Sequence, residues 1–484
     1  MSHDITNMER FVGRARELKY LEKMWSDERY KTCAIYGRRR IGKTRMIQEF
    51  IRDKKSIVFD LVLGTEPEII RRMDATLRDI TGINTPSDDL FDILKNLKQI
   101  CSEEKTVIVI DELPYLTADN DRAASELQHF TDWLVDNTDS MLIVSGSSIS
   151  LMHDELKNRN SPLYQRFFFE IDLKPLSLEE VREFHPGMSD TDILKTYLIL
   201  GGIPLYHAGA GNRNYVEIVE DYLFEPTNLF YNDPTAIVVG ELKDQAENAL
   251  SVLQAIASGS TRFSEIASHT GLSDYTVDRC LDGLKGMRLV DTLHPMADAP
   301  KQPVYIITDA PTSFYFNVIG RHPQLSRYSS HIFESASNPI SDFLGRQFEI
   351  FCRNLLPKVY PCSEIGCWWG KVPVRGDDGR ITRDANGKVL TEGVDIDIIA
   401  TLRRKNERID LFAECKFMNR KMSLSMLKTL QERVSSLKGG YNERLALISV
   451  KGFADELQFY AEDNGIFLID LDTIMGKKEY PEII

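Results

Sequence analysis

Eight consecutive residues constrain this chain more than any others: Gly37-Arg38-Arg39-Arg40-Ile41-Gly42-Lys43-Thr44. An apolar run at 33–36 leads into them and a helical pattern at 44–51 leads out, so the sequence predicts strand, loop and helix in that order. The residue types suit one task, which is holding phosphate. Glycines let the loop curl until its backbone N–H groups converge, and the start of the next helix adds the positive end of its dipole. Lys43 places a point charge near the outer phosphates, and Thr44 offers a hydroxyl to a magnesium ion. The pattern assigns no role to the three arginines, Arg38 to Arg40.

Two more apolar runs belong with this loop. The run at 106–110 ends in Asp111 and Glu112. Asp111 is expected to hold magnesium through water, and Glu112 to orient or deprotonate the attacking water. The run at 141–145 leads to Ser147 and Ser148, either of which can serve as a polar sensor at the γ-phosphate, with ordinary turn chemistry as the alternative. Short β-branched runs at 33–36, 56–62, 106–110 and 141–145 alternate with helical patterns across residues 1–235. That alternation predicts an α/β domain built on a parallel sheet.

Phe11-Val12-Gly13-Arg14-Ala15-Arg16-Glu17-Leu18 resembles the FxGRxxEL box that precedes the phosphate loop in AAA+ and STAND ATPases. Pro162-Leu163-Tyr164-Gln165-Arg166 resembles the segment that carries an arginine after the sensor strand. Gly201-Gly202-Ile203-Pro204 resembles the GxP element of STAND proteins. Together, residues 8 to about 235 resemble the archaeal ATPase family, a STAND relative. The resemblance implies ATP as ligand, Gly13 and Arg14 packed by the adenine, a helical lid after the sheet and Arg166 as an arginine finger. A surface salt bridge is the alternative for Arg166. A nucleotide-dependent homo-oligomer is a further expectation.

Residues 240–315 change character. Helical patterns at 244–257, 263–269 and 274–287 precede short β runs at 289–293 and 304–308, the order of a winged helix-turn-helix. Its charges argue against reading DNA bases. Asp274, Asp278 and Asp282 fall four apart on one flank of the third helix, offset only by Arg279 and Lys285. A structural or partner-contacting role suits that flank better, and the STAND resemblance implies a winged helix packed on the nucleotide site.

From about residue 340 the pattern returns to α/β: a helix at 341–355, strands at 394–402 and 409–417, a helix at 423–438, a strand at 444–450, a helix at 453–463 and a strand at 465–471. The Gly- and Asp-rich stretch 374–393 reads as a hairpin loop. Side chains alternate along a strand, so Asp395 and Asp397 share a face, as do Glu414 and Lys416. A hairpin closed about Lys405-Asn406 sets Asp397 opposite Glu414 and Asp395 opposite Lys416. Facing carboxylates on an apolar sheet call for a cation or a proton between them, which magnesium supplies. Lys416 then orients or activates a water. The alternative is an ion-paired cluster on a sheet face open to solvent. This D…ExK order resembles the PD-(D/E)xK nucleases, which implies a restriction-endonuclease-like α/β domain with Glu349 as a candidate fourth member. Gly366-Cys367-Trp368-Trp369, Asp395-Ile396-Asp397 and Glu414-Cys415-Lys416 resemble more closely the nuclease-like domain of unknown function found behind archaeal ATPases, although Asp395 stands where that pattern has Glu.

Composition narrows the rest. With 59 basic and 73 acidic residues the net charge is −14, which argues against whole-molecule adhesion to nucleic acid but does not exclude a local basic groove. No apolar run approaches the ~20 residues of a membrane-spanning helix, and the first residues lack the apolar stretch of a secretion signal. The seven cysteines are scattered without a CxxC, so a cytoplasmic protein is expected. The leading expectation is a Mg-ATP hydrolase coupled to a Mg-dependent DNA nuclease. The alternatives are an ATP-driven regulator whose C-terminal domain binds nucleic acid without cutting it, and a protein-directed ATPase with a docking module.

Overall fold

The computed structural model describes residues 11–483 except 28, 83–85, 119, 229, 297–301, 323–331, 375–380, 385–386, 405–406 and 438–441. The chain divides into two compact units. One comprises Met1–Pro186, Gly202–Asn212 and Gly286–Arg288, and the other comprises Gly187–Gly201, Arg213–Lys285 and Leu289–Ile484.

The first unit is built on five parallel strands: β1 (Thr32–Tyr36), β2 (Ser56–Asp60), β3 (Val107–Asp111), β4 (Met141–Gly146) and β5 (Phe169–Asp172), in the order β2-β3-β4-β1-β5. Every residue of β1, β3 and β4 is buried, as unbroken apolar strands between covered faces should be. Helices α1 (Ala15–Ser26), α2 (Lys43–Ile51), α3 (Glu66–Thr81), α4 (Leu90–Glu103), α5 (Asp121–Asn137) and α6 (Ile149–Lys157) belong to the same unit. Leu77, Leu97, Leu127 and Met152, from α3 to α6, join Ile57, Ile108 and Val144 in one core. Strand β5 was not anticipated. It is only four residues long and pairs on one side alone, so it lacks the apolar run that marks its neighbours. All five strands run the same way, so their carboxyl ends, including Tyr36, Asp111 and Gly146, share one edge of the sheet. The phosphate loop and both acidic residues therefore meet there.

In the second unit, α7 (Ala246–Ala257), α8 (Phe263–Thr270) and α9 (Asp274–Gly286) precede an antiparallel pair, β6 (Val290–Leu293) and β7 (Val304–Ile307). On α9, Val277, Leu281 and Leu284 are buried, while Asp274, Asp278 and Asp282 are exposed. Helix α10 (Ser337–Val359) then leads to a mixed sheet of β8 (Cys362–Pro373), β9 (Thr391–Arg404), β10 (Glu407–Lys416), β11 (Glu443–Ser449) and β12 (Phe467–Asp470), in the order β12-β11-β10-β9-β8. Strands β8, β9 and β10 are antiparallel neighbours. Helices α11 (Leu424–Ser435) and α12 (Asp455–Asn464) are the crossovers that make β10, β11 and β12 parallel. The β9–β10 ladder runs from Arg404↔Glu407 to Ile398↔Ala413, the register of a hairpin closed about residues 405 and 406; the turn itself lies outside the described residues, as does part of the 374–393 loop. Residues 187–201 and 213–235, expected with the first domain, fall in the second unit. The reason is packing: Tyr197, on the helix Asp190–Leu200, meets Phe351 of α10 edge to face at 5.8 Å.

A close backbone approach fixes one glycine of the first unit. Leu176 N donates to Gly202 O at 2.8 Å, and a Cβ on Gly202 would lie 2.1 Å from Leu176 O. Gly202→Ala should therefore lower stability by about 1–3 kcal/mol through overpacking. A thermal unfolding midpoint equal to that of the parent would contradict this.

Candidate functional site: a phosphate-loop centre and a buried carboxylate–lysine cluster

Lys43 opens α2, and Gly42 caps the helix in the left-handed region at φ 92°. Gly37 admits no side chain, because a Cβ there would lie 2.7 Å from Leu173 O. Arg40, inside the loop, also has positive φ at 68°, as does Glu112 at 60°. Non-glycine residues adopt this conformation at a cost that functional loops tolerate.

The expected side chains converge on the loop. Thr44 Oγ1 donates to Asp111 Oδ2 at 2.5 Å, and Ser145 donates to Asp111 Oδ1. Lys43 Nζ donates to Gly37 O at 2.9 Å and to Ser147 Oγ at 3.1 Å. Ser147 in turn holds Glu112 through its hydroxyl and through its backbone N–H, the latter at 2.9 Å. Ser147 is thus the serine at the site, while Ser148 caps the next helix and meets Ser150. Asp60, the last residue of β2, pairs in register with Asp111. Burial, together with Asp111 and Glu112, raises its carboxyl above the usual range. Sequence reading missed Asp60, the last residue of β2, and Ser145, the last but one of β4.

Gly13 and Arg14 brace the loop. Arg14 is buried, with Nη2 donating to Ile41 O at 2.9 Å, Nη1 to Lys174 O at 2.7 Å and its backbone N–H to Glu180 Oε1 at 3.0 Å. A Cβ on Gly13 would meet Glu180 Oε1 at 2.7 Å. Pro204 lies against the loop from the other side, its Cγ 3.6 Å from where a Cβ on Gly42 would be. Arg166 is not gathered with these groups. Its guanidinium lies 2.8 Å from Asp132, and its carbonyl accepts from Thr32. Thr32 opens β1, so Arg166 sits at the sheet edge opposite the phosphate loop. The surface ion pair is the arrangement observed within this chain.

The second cluster lies on β9 and β10. Asp397 and Glu414 are each only 6% exposed. Lys416 Nζ stands 2.6 Å from Glu414 and 3.5 Å from Asp397, and Cys415 N donates to Asp397 Oδ2 at 2.8 Å. Burial is the main influence that raises both carboxyls; the charge of Asp397 adds to it at Glu414, and that of Asp395 adds to it at Asp397. Burial pulls Lys416 down, but Asp397 and Glu414 outweigh it, and the ammonium is held above its usual range. Asp395 was expected opposite Lys416. Instead it points to solvent and pairs with Arg433 of α11 at 3.6 Å, and the same guanidinium reaches Glu414 at 3.5 Å. Lys416 turns to the buried carboxylates because their attraction is least screened there. Arg433 and Arg353, whose Nη2 donates to Asp397 O at 3.0 Å, were not legible in advance, since each is one basic residue on an amphipathic helix. Among the described residues no group of three or more His, Cys, Asp or Glu side chains is gathered as a metal cage.

Glu349, on α10, is pushed up to about 8 by burial and then by the charge of Asp397. Between its usual value and 8 the folded chain keeps a proton that the unfolded chain has lost, so stability from this group falls as pH rises through that window. In EDTA, the unfolding midpoint of Glu349→Gln should fall less between pH 6 and pH 9 than that of the parent. Parallel pH profiles would contradict the shift.

Residues 11–207 match the model of an ATPase domain predominantly from Archaea, and residues 315–428 match that of archaeal and bacterial proteins of unknown function. An uncharacterized protein of Methanocaldococcus jannaschii is 26% identical over 470 residues, spanning 93% of this chain and 94% of its own length. An uncharacterized ATP-binding protein of the same organism is 44% identical over 45 residues, which is 9% of this chain and 76% of that protein. Among solved structures, a Walker-type ATPase of Pyrococcus abyssi is similar at a TM-score of 0.48 and 19% identity, covering 64% of this chain and 96% of that one. Residues 11–207 are thus similar to an ATPase domain found predominantly in Archaea, and residues 315–428 are similar to archaeal and bacterial proteins of unknown function.

Proposed function

We propose that the first unit binds Mg-ATP and hydrolyses it. The observation that carries this reading is the convergence of Lys43, Thr44, Asp111, Glu112 and Ser147 at one end of the parallel sheet. The Thr44 hydroxyl and the Asp111 carboxylate form the hard oxygen pair that suits magnesium, an ion held by few protein ligands and completed by water and phosphate oxygens. Bound there, magnesium would supply charge neutralisation on the phosphates. Lys43 leaves the loop carbonyl for the β and γ phosphates. Glu112 orients or deprotonates the attacking water, and Ser147, which bridges Lys43 and Glu112, senses the γ-phosphate. Lys43→Ala should weaken ATP binding at least about tenfold, as loss of a charge-assisted contact does. Unchanged affinity in a calorimetric titration would overturn the reading.

For the second unit we propose a winged helix, α7 to α9 with β6 and β7, followed by a nuclease-like domain of the PD-(D/E)xK kind. The exposed Asp274, Asp278 and Asp282 favour a protein-contacting winged helix over one that reads bases. Asp397 and Glu414 supply oxygen donors for a divalent cation, with Glu349 as a third, and Lys416 stands where it would orient a water. ATP turnover would then license cleavage of DNA. One observation favours a second reading, a regulator that binds nucleic acid without cutting it: Lys416 and Arg433 already neutralise the buried carboxylates. Incubation of DNA with Mg or Mn, with and without ATP, decides between them. Cleavage that disappears in Glu414→Ala supports the nuclease. Intact DNA in every condition, with ATP hydrolysis preserved, supports the regulator.

A further inference from the structure

Three arginines, Arg38 to Arg40, stand inside the phosphate loop between Gly37 and Lys43. Arg39 reaches out of the loop, and its Nη2 donates to Tyr115 Oη at 3.1 Å. Tyr115 lies on the short helix Pro114–Thr117, three residues beyond Glu112, and its N–H donates to Glu112 O at 3.0 Å. The ring of Tyr115 packs on the core of the first unit, which fixes where its hydroxyl stands. Leu113 N donates to Ser145 O at 2.8 Å, and a Cβ on Gly146 would lie 3.1 Å from Pro114 Cδ. The short helix is therefore seated against the end of β4.

These contacts close a ring. The phosphate loop follows β1, Glu112 follows β3, and Ser147 follows β4, which runs between the two. Lys43 reaches Ser147 at 3.1 Å, Ser147 holds Glu112, the chain runs on from Glu112 to Tyr115, and Tyr115 accepts from Arg39, which returns to the loop. A γ-phosphate that meets Lys43 and takes its water from Glu112 has its outer oxygens beside that ring, and Arg39 is the guanidinium in it. The chemistry suits the place. Guanidinium is always charged, and its planar fork matches phosphate oxygens. In phosphoryl transfer, negative charge spreads over the three equatorial oxygens, where an arginine stabilises it. Arg166 cannot take that part within this chain, because it sits with Asp132 at the opposite edge of the sheet.

We propose that Arg39 is a catalytic residue for ATP hydrolysis, its guanidinium passing from the Tyr115 hydroxyl to a γ-phosphate oxygen. The proposal rests on the ATPase reading of the first unit. As the water oxygen bonds to the γ-phosphorus and its proton passes to Glu112, the bond from that phosphorus to the bridging oxygen breaks, and its electron pair stays with ADP. Arg39 offsets the charge on the equatorial oxygens through that change. Tyr115 is the positioning residue that keeps the guanidinium within reach.

The test measures single-turnover ATP hydrolysis and ADP affinity for the full parent chain, Arg39→Ala and Tyr115→Phe, with unfolding midpoints to show that each folds. Arg39→Ala should lower hydrolysis by about 10³-fold or more, the scale of an arginine lost from a γ-phosphate. Its ADP affinity should be retained, since ADP carries no γ-phosphate. Tyr115→Phe, which removes the same contact but leaves the guanidinium, should cost no more than about tenfold in rate, as loss of one neutral hydrogen bond does. Equal losses in the two variants would make the contact a structural tie and overturn the proposal. So would hydrolysis by Arg39→Ala within about tenfold of the parent, or an ADP affinity that falls together with its rate. A parent chain that hydrolyses no ATP would overturn the ATPase reading itself, and this proposal with it.

Discussion

One hydroxyl joins the two halves of the nucleotide centre. Ser147 accepts from Lys43 and donates to Glu112, so the lysine proposed to meet phosphate and the carboxylate proposed to handle water share a single partner. That sharing depends on the strand order. Strand β4 lies between β3 and β1, and only in that position can the residue after β4 reach both the phosphate loop beyond β1 and the acidic pair at the end of β3. The buried Arg14 then fixes the loop from behind by taking up the Ile41 carbonyl. On the proposed reading, phosphate entering the loop would compete for Lys43, and whatever it took from Ser147 would alter the hold on Glu112.

The second unit solves a different electrostatic problem. Two buried carboxylates on adjacent strands repel each other, and burial alone makes their ionised forms costly. Lys416, Arg433 and the backbone N–H of Cys415 offset that cost from three directions. Glu349, where burial and the charge of Asp397 outweigh Lys416 and Arg353, is pushed up to about 8 and keeps its proton instead. The cluster is therefore held in a charge state that is open to change. A divalent cation, a shift of pH or a movement of Arg353 would each redistribute its protons.

Much of this was legible in the sequence, and the exceptions share a cause. The phosphate loop, the acidic strand end and the β9–β10 register follow from local patterns: glycine spacing, apolar runs that end in carboxylates, and the two-residue alternation of a strand. Strand β5 escaped notice because a short edge strand carries little apolar signal. The choice of Ser147 over Ser148 was not legible, because it turns on which hydroxyl the end of β4 aims at Glu112. Arg166 was expected near the nucleotide from the segment it belongs to, yet the chain returns it to the amino-terminal edge of the sheet and to Asp132. Arg353 and Arg433 were unreadable for the same reason. Their partners lie 44 and 19 residues away, and only the tertiary fold supplies that proximity.

The most direct measurement of the central claim is single-turnover ATP hydrolysis by Glu112→Gln beside the parent chain, with nucleotide affinity measured in parallel. If Glu112 handles the attacking water, affinity is retained while hydrolysis falls by about 10²–10⁴-fold, the range expected for loss of a general base. Hydrolysis at the parental rate in the substituted chain would contradict the account.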